Sequence, residues 1–343
     1  MKAPGESTPD AALAVADRDG VFPEGFYATT NFDTDVRLGG VWVPVARPEM
    51  DVGIRVRAGT GSTPGVAEAC PMHRVKAGDQ LVVGEEGVRV KLPPRSAAEG
   101  EAFRFMSSGV STERPKARLI ADVALAMKEA HAKGQKVLLV GGPAIVHSGS
   151  APILEALVRG GWIDVLFAGN ALAAHDIEAS MYGTSLGIDL RRGDGVPHGH
   201  QHHLRAINRV RRAGSIAAAV RDGLVTSGVM HACVTKGVPF VLCGSIRDDG
   251  PLPDVITDVV AAADAMRAHV EGVAVAIVIA TTLHGVATGN LLPARVATFC
   301  VDTDADTVIK LVDRGTHQAV GIVTDGEYFL GELARALARE DGT

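Results

Sequence analysis

The 343-residue sequence has few of the features that mark nucleic-acid-binding, membrane or exported proteins. Aromatic residues make up 4% of it and the formal net charge is -6, so neither a base-stacking platform nor a basic nucleic-acid surface is expected. The longest apolar run, around residues 273–280, is much shorter than the ~20 residues that span a bilayer. The first twenty residues contain no apolar stretch of the kind found in a signal peptide. We therefore expect a cytoplasmic protein that binds neither nucleic acid nor membranes.

Disulfide and metal-binding patterns are also missing. The cysteines have no CxxC spacing and two lie in or beside apolar runs, which favours buried thiols over disulfides or metal ligands. They are Cys70, Cys233, Cys243 and Cys300. The histidine-rich stretch 198–203 has no acidic or cysteine partner at a zinc-site spacing, so we expect a loop that closes over a ligand or meets a neighbouring subunit. The acidic stretch 302–306 lacks the remaining ligands of a calcium loop.

Five short apolar runs after residue 135 each end in a loop of glycine, small and charged residues. Runs of this kind are typical of strands buried on both faces, as in a parallel sheet that is covered by helices. Ligands of such sheets bind beyond the carboxyl ends of the strands. We therefore predict an α/β domain whose chemistry lies in the loops after these runs. The runs are residues 137–140, 163–167, 239–242, 274–280 and 298–301.

The composition of the sequence changes along the chain. Residues 1–20 are small and polar and are predicted to form a disordered arm. Residues 21–100 contain short apolar or alternating runs separated by Gly, Pro and Asp, which predicts a small, mostly β domain. The stretch 92–102 has the composition of a linker, and the helical spacing of apolar residues over 116–133 falls near the start of the predicted α/β domain, 101–343.

Two of the loops suit a nucleotide. Gly141, Gly142 and Pro143 follow the first strand directly, where glycines let the backbone approach a phosphate at a helix N-terminus. The pattern is not GxGxxG, so a tight strand-to-helix turn is an equal alternative. Asp302 follows a late strand, as does the acid that bonds a ribose hydroxyl in Rossmann domains, and it would repel the 2′-phosphate of NADP.

The loop after the second run brings an amide, an imidazole and a carboxylate together. Asn170 is a turn or cap residue as readily as it is a ligand. His175 and Asp176 suggest an imidazole that is oriented by a carboxylate and acts as a base.

The most charged loop spans residues 244–258 and contains two prolines and a glycine within its charged core. Its charged residues are Arg247, Asp248, Asp249, Asp254 and Asp258. A solvated acidic turn is one interpretation. The other, favoured by the position after a buried strand, is a site for a cationic substrate, with Asp248 or Asp249 as proton acceptor and Arg247 near a substrate carboxylate.

Several longer blocks together resemble a known family. GGPAIVH (141–147), AGNALAAHDIE (168–178) and GSIRDDGPLPDVITDVV (244–260) are similar to the LOR/SDH conserved-domain family, which includes the archaeal-type ornithine cyclodeaminases. In the first domain, EGFYATTN (24–31) and PMHRVKAGD (71–79) show the same resemblance. The resemblance implies a nucleotide-binding domain similar to that of deoxyhypusine synthase, with bound NAD.

The expected site residues form three sets, and no metal is expected among them. The catalytic candidates are Asp248, Asp249, His175 and Arg247. The candidates for contact with NAD are Gly141, Gly142, Pro143, Asn170, Ala171, Asp176, Gly244, Ser245 and Asp302. The candidates for contact with the substrate are Asp254, Asn31 and His203.

The activity implied by the resemblance is the conversion of L-ornithine to L-proline and ammonia. The α-carbon is oxidised, the δ-amine closes the ring, and the ring is reduced again, so one NAD serves both redox steps. Closing a five-membered ring gains from the proximity of the reacting groups. The alternatives are an NAD-dependent amino-acid or opine/saccharopine-type dehydrogenase and a catalytically silent NAD or amino-acid sensor. Related nucleotide-binding domains form dimers or tetramers, so a homodimer or homotetramer is expected.

Overall fold

The computed structural model describes residues 8–57, 65–92, 116–248, 250–314 and 319–339. The chain divides into two compact units, Met1–Phe105 with Asn290–Arg295 and Met106–Gly289 with Val296–Thr343. Within the described ranges, no helix is long and apolar enough to cross a membrane.

The first unit contains a seven-stranded sheet in which every pair but one is antiparallel. Its strands are β1 (Ala12–Val15), β2 (Thr34–Leu38), β3 (Val41–Ala46), β4 (Gly53–Arg57), β5 (Val66–Cys70), β6 (Gln80–Val83) and β7 (Val88–Val90), in the order β1-β6-β4-β5-β3-β2-β7. Because side chains alternate along a strand, Ile54 and Val56 enter the core while Arg55 and Arg57 face away from it. The predicted mostly β N-terminal domain is confirmed.

The prediction of a disordered arm over residues 1–20 is wrong for its described part. β1 pairs with β6 along its whole length, and the amide of Gly20 donates to the carbonyl of Val75 over 2.9 Å. Three of the four side chains of β1 are exposed. The strand is held by backbone hydrogen bonds rather than by buried side chains. Its sequence therefore lacks the alternation of apolar and polar residues that identifies half-buried strands.

Residues Asn290–Arg295 belong to the first unit although they are far from it in sequence. The amide of Met50 donates to the carbonyl of Asn290 over 2.9 Å, and the amide of Ala294 donates to the carbonyl of Asn31 over 2.7 Å. These are single backbone hydrogen bonds between segments that are distant in sequence, and the residue composition of the segments does not predict them.

The second unit contains a seven-stranded, fully parallel sheet. Its strands are β8 (Lys136–Gly141), β9 (Val165–Gly169), β12 (Phe240–Cys243), β13 (Val255–Ile256), β14 (Val273–Ile279), β15 (Ala297–Asp302) and β16 (Ala319–Val323), and a separate hairpin consists of β10 (Thr184–Ser185) and β11 (Ile188–Asp189). The helices of at least eight residues are α1 (Lys116–Ala132), α3 (Ala151–Arg159), α4 (Asn170–Tyr182), α5 (His202–Ala213), α7 (Val229–Lys236), α8 (Val259–Val270), α9 (Leu283–Leu291), α10 (Ala305–Arg314) and α11 (Gly326–Ala338). The shorter ones are α2 (Ala144–His147) and α6 (Ile216–Arg221).

All five apolar runs form strands of this sheet, so the predicted α/β class is confirmed. Residues 137–140 of β8 are completely buried, as expected of a strand that is covered on both faces. The sequence did not indicate β13 and β16. β13 has two residues, and β16 contains a glycine, which weakens a strand pattern.

The strand order indicates where on the sheet a ligand would bind. The order is β13-β12-β9-β8-β14-β15-β16, so the chain starts in the middle, builds one half of the sheet from β8 outwards and then returns to build the other half from β14. The order reverses between β8 and β14. A crevice at the carboxyl ends of such a strand pair is where open α/β sheets bind ligands.

Candidate functional site

Gly142 lies at this reversal and packs against the end of β14. Its amide donates to the carbonyl of Ile279 over 2.9 Å, and a Cβ added to it would lie 1.8 Å from the carbonyl oxygen of Ala280. A Cβ on Gly141 would likewise lie 2.7 Å from Cδ1 of Leu172. The space beside both glycines is filled by the protein itself, so close packing of a tight turn requires them. Pro143 then leads into α2.

A cavity of ≈ 190 Å³ lies beside this turn, at the carboxyl ends of β14, β15 and β16. Its lining includes the backbone turn at Ala280 and the polar residues Asp302, Thr303, Thr324 and Asp325. Asp302 is half-buried, and its Oδ1 accepts a hydrogen bond from the amide of Asp304 over 3.0 Å. Asp325 caps α11 by accepting from the amides of residues 327 and 328. Asp302 therefore lies at the carboxyl end of β15, the position from which the sequence predicted contact with a ribose.

On the other side of the reversal, Asn170 ties the charged loop to the sheet. It is the first residue of α4, its Oδ1 accepts from the amide of Leu252 over 3.0 Å, and its Nδ2 lies 3.5 Å from Oδ1 of Asp248. Oδ2 of Asp248 accepts from the amide of Ser245 over 2.8 Å. Gly244 donates its amide to the carbonyl of Ile256. The structure thus brings together Asn170, Gly244, Ser245 and Asp248 at the ends of β9 and β12, with Ala171 next in α4.

His284, in α9 after β14, reaches the same edge and was not among the expected site residues. A Cβ on Gly169 would lie 2.7 Å from Cε1 of its ring. Burial lowers the pKa of His284, and the negative charge of Asp248 acts in the opposite direction. Its signal in the sequence is only its position in the loop TTLHG after a buried strand.

The remaining residues of the charged loop differ in their surroundings. Arg247 is exposed, and Asp249 lies outside the described residues. Oδ2 of Asp254 accepts from the amide of Ile216 at the start of α6 over 2.8 Å, and Oδ1 of Asp258 accepts from the amide of Ala261 in α8 over 2.7 Å. Asp254 and Asp258 therefore each have a structural task at the N-terminus of a helix.

The expected orientation of His175 by Asp176 is wrong. Nδ1 of His175 lies 2.8 Å from Oε2 of Glu178, one helical turn away on the same face of α4. Adjacent residues on a helix point to different sides, and for that reason the neighbouring acid cannot replace Glu178. The three-residue spacing in HDIE is the signal that identifies it.

Asp176 instead holds the N-terminus of α7. It is 1% exposed, and its two carboxylate oxygens accept from the amides of Val229 and Met230 over 2.9 and 2.8 Å. Burial raises the pKa of Asp176 to about 7, and the two amide bonds oppose this. Gly228, at φ 97°, leaves room for the carboxylate, since a Cβ there would lie 2.7 Å from both oxygens. Both oxygens are thus used within the protein, which removes the sequence argument for contact with a cofactor.

The histidine-rich stretch 198–203 separates into two parts. His198 and His200 are exposed, whereas His202 and His203 are half-buried at the start of α5. The His203 ring lies 5.9 Å from that of His175, and its Nδ1 is buried with no hydrogen-bond partner. Across the described ranges, no three or more His, Cys, Asp or Glu side chains are arranged to hold a metal ion.

Two further expectations concern the first unit and the cysteines. Asn31 is buried in the first unit, and its carbonyl accepts from Ala294. All four cysteines are buried and free, as predicted.

The sequence matches the family described as arginine dihydrolase ArgZ-like, C-terminal: its Rossmann-fold region over residues 121–333 and its first region over 33–120. It is 50% identical over 333 residues to an ornithine cyclodeaminase of Methanothermobacter thermautotrophicus, covering 97% of this chain and 80% of that protein. The crystal structure of a conserved LOR/SDH protein from Methanococcus maripaludis has a TM-score of 0.90 at 45% identity, covering 96% of this chain and 98% of that chain.

A third similar structure contains ligands. It is a ternary complex of AgrE with ornithine and NAD+, with a TM-score of 0.63 at 39% identity, and the match covers 98% of this chain and 47% of that chain. AgrE of a Nostoc species is named a bifunctional arginine dihydrolase/ornithine cyclodeaminase. The resemblance predicted from the sequence is thereby confirmed, and the chain belongs to the ornithine cyclodeaminase family whose fold recurs in the C-terminal region of the ArgZ-like arginine dihydrolases.

Proposed function

We propose that this chain is an NAD-dependent ornithine cyclodeaminase that forms L-proline and ammonia. The observation that carries the proposal is the pairing of two features across one strand reversal. On one side, the turn at Ala280, against which Gly142 packs, lines a cavity together with Asp302. On the other side, Asn170 holds Asp248 beside His284. A site for a nucleotide and a site for a cationic amino acid would then meet at the carboxyl edge of one sheet.

The residues around the cavity fit NAD. The carboxylate of Asp302 is suited to the ribose of the cofactor. The turn at Gly141 and Gly142, which packs against Leu172 and Ala280, is kept as the candidate for its pyrophosphate. Asp302 would repel a 2′-phosphate, so NAD is preferred to NADP. The expected result of titrating the protein with each nucleotide is binding of NAD alone, and preferential binding of NADP would contradict the assignment.

The amino-acid end is assigned to the charged loop and its neighbours. We assign Asp248 as the acceptor of a proton from an ammonium group, with Asp249 and His175 as the other candidate bases. Arg247 is the candidate for the substrate carboxylate. We keep Asn31, His203 and Asp254 as candidate contacts, although Asp254 is already bonded to Ile216.

The steps of the proposed reaction follow from the two amino groups of ornithine and the hydrogen on its α-carbon. Bound NAD supplies the acceptor for hydride from the α-carbon and afterwards the donor that reduces the cyclic imine. The protein has to deprotonate the α-ammonium and the δ-ammonium groups, hold the δ-nitrogen against the α-carbon, and return a proton to the departing ammonia. Atoms balance as ornithine giving proline and ammonia, with no net oxidation.

Incubation with ornithine and a catalytic amount of NAD+ tests the proposal. Proline and ammonia should form in equal amounts, far in excess of the NAD+ added, without lasting NADH absorbance. Net NADH formation with a 2-oxo acid would instead indicate the dehydrogenase alternative. Nucleotide binding without any turnover would indicate a sensor.

We also propose that the enzyme is a homodimer or homotetramer. The segment from Leu186 to Leu204 exposes apolar side chains next to a basic helix, α5, with exposed arginines. Apolar side chains with a charged rim are typical of subunit interfaces. Light scattering should give two or four chains per particle, and a monomer with dilution-independent specific activity would refute the assembly.

A further inference from the structure

Glu178 is a carboxylate at the centre of a buried network that contains His175, one of the candidate bases, and Glu178 itself has no part in the proposed function. Its side chain is 0% exposed and accepts four hydrogen bonds. One comes from His175, and the other three come from β10 and the turn that follows it: Oγ1 of Thr184 donates over 2.9 Å, and the amides of Leu186 and Gly187 donate over 3.2 and 3.1 Å. The turn therefore fixes the carboxylate, and the carboxylate fixes the imidazole.

The network determines which nitrogen of His175 carries the proton. Burial would raise the pKa of Glu178, but the hydrogen bonds from His175, Gly187 and Thr184 outweigh it and lower the pKa. An ionised carboxylate can only accept, so Nδ1 of His175 must carry a hydrogen. In the neutral imidazole, Nε2 then carries the lone pair. It makes no hydrogen bond within the part of the chain that the structure describes.

Two other imidazoles lie beside the ring of His175. The ring of His147, from α2, meets the ring of His175 edge-on at 4.7 Å, and the ring of His203, from α5, lies 5.9 Å away. Nδ1 of His203 is buried without a partner, which is uncommon for a polar atom in a folded protein. Three helices thus supply imidazoles to one cluster, in which a buried nitrogen of His203 has no hydrogen-bond partner among the described residues.

We infer that Glu178 is a positioning residue that holds His175 in the Nδ1–H tautomer, so that Nε2 takes a proton from a substrate ammonium group. This inference rests on the proposed function. In the step, an N–H bond of the ammonium breaks and an Nε2–H bond forms, which leaves a neutral amine and an imidazolium ion paired with Glu178. The same proton later returns to the departing ammonia, so no proton is gained or lost over the cycle.

Two variants separate positioning from structural support. Glu178→Gln keeps the size of the side chain and removes its charge, whereas His175→Asn keeps an N–H group toward Glu178 and lacks Nε2. Both should lower kcat for proline formation by about 10²–10⁴-fold. The KM for ornithine and the affinity for NAD should change little. Glu155→Gln is the matched control, because Glu155 accepts from the amide of Gly228 and does not contact His175.

Nitrogen NMR of histidine-labelled wild-type protein provides a test that needs no variant. It should show His175 protonated at Nδ1, and protonation at Nε2 alone would overturn the inference, as would an active His175→Asn enzyme. A loss of NAD affinity and of kcat together in both variants would also overturn it, since that is the result of a purely structural role. If the wild type forms no proline, the proposed function fails, and the tautomer then decides the role of Glu178.

Discussion

Replacement of Gly142 by alanine should damage both the stability of the second unit and its activity. The added Cβ would lie 1.8 Å from the carbonyl oxygen of Ala280, about half of an ordinary contact distance. Relief requires β8 and β14 to separate, which strains the 2.9 Å bond from the amide of Gly142 to the carbonyl of Ile279. Overpacking costs about 1–3 kcal/mol and a weakened hydrogen bond about 1 kcal/mol, against a gain of about 0.4–1 kcal/mol from a stiffer unfolded chain.

The net expectation for Gly142→Ala is a loss of about 1–3 kcal/mol in the free energy of unfolding, measured by urea titration. Proline formation should fall roughly 10²-fold, because a shift of about 1 Å at the strand reversal misplaces the reacting groups. Gly331→Ala is the control: nothing lies within 4 Å of its added Cβ and it is inside α11, so it should gain about 0.5–1 kcal/mol. A Gly142→Ala protein with the stability and turnover of the wild type would refute the close-packed reversal.

Three further results are expected. The pKa of Asp176 is raised to about 7 from its ordinary 3.8, so protonation of this carboxyl group favours the folded state. The stabilisation is complete below about pH 4 and is lost as the pH rises through about 7. It amounts to at most about 4 kcal/mol. The unfolding free energy of wild type relative to Asp176→Asn should therefore fall between these pH values, and a pH-independent difference would contradict it. All four cysteines are buried, and burial raises the pKa of each thiol, to about 12 for Cys233 and Cys300. No thiol of the folded protein should therefore react with a disulfide reagent at pH 8, and a fast-reacting thiol would show that one is accessible. Asn170→Asp places a second carboxylate beside Asp248 and should cost at least tenfold in kcat/KM, on the order of 1.4 kcal/mol; normal kinetics would remove Asn170 from the site.

The architecture of the second unit was readable from the sequence because its strands are buried on both faces. Such strands leave continuous apolar runs, and the loops at their carboxyl ends are then identified by position alone. The prediction of the fold failed for segments whose side-chain burial leaves no hydrophobic pattern in the sequence. β1 is held by backbone bonds while its side chains are mostly exposed, and residues 290–295 join the first unit through backbone bonds and an ion pair between Arg295 and Asp33.

The position of a candidate residue was predictable where it lies at or just after the end of a strand, as do Asn170, Ser245 and Asp302. It was misread where the partner of a side chain had to be chosen. The pair His175–Asp176 is adjacent in sequence, but helix geometry directs His175 to Glu178 and Asp176 to the amides of α7. The proximity of His147 and His203 depends on the packing of three helices, and no local pattern encodes it.

The most direct measurement of the central claim uses ornithine that carries deuterium on its α-carbon, with unlabelled NAD+ in catalytic amount. If hydride leaves this carbon and returns to it within one site, the proline formed should retain the deuterium on its α-carbon, and NADH should not accumulate. Proline that has lost the label, or deuterium that accumulates in reduced cofactor alongside a 2-oxo acid, would contradict an internal oxidation and reduction on one bound NAD.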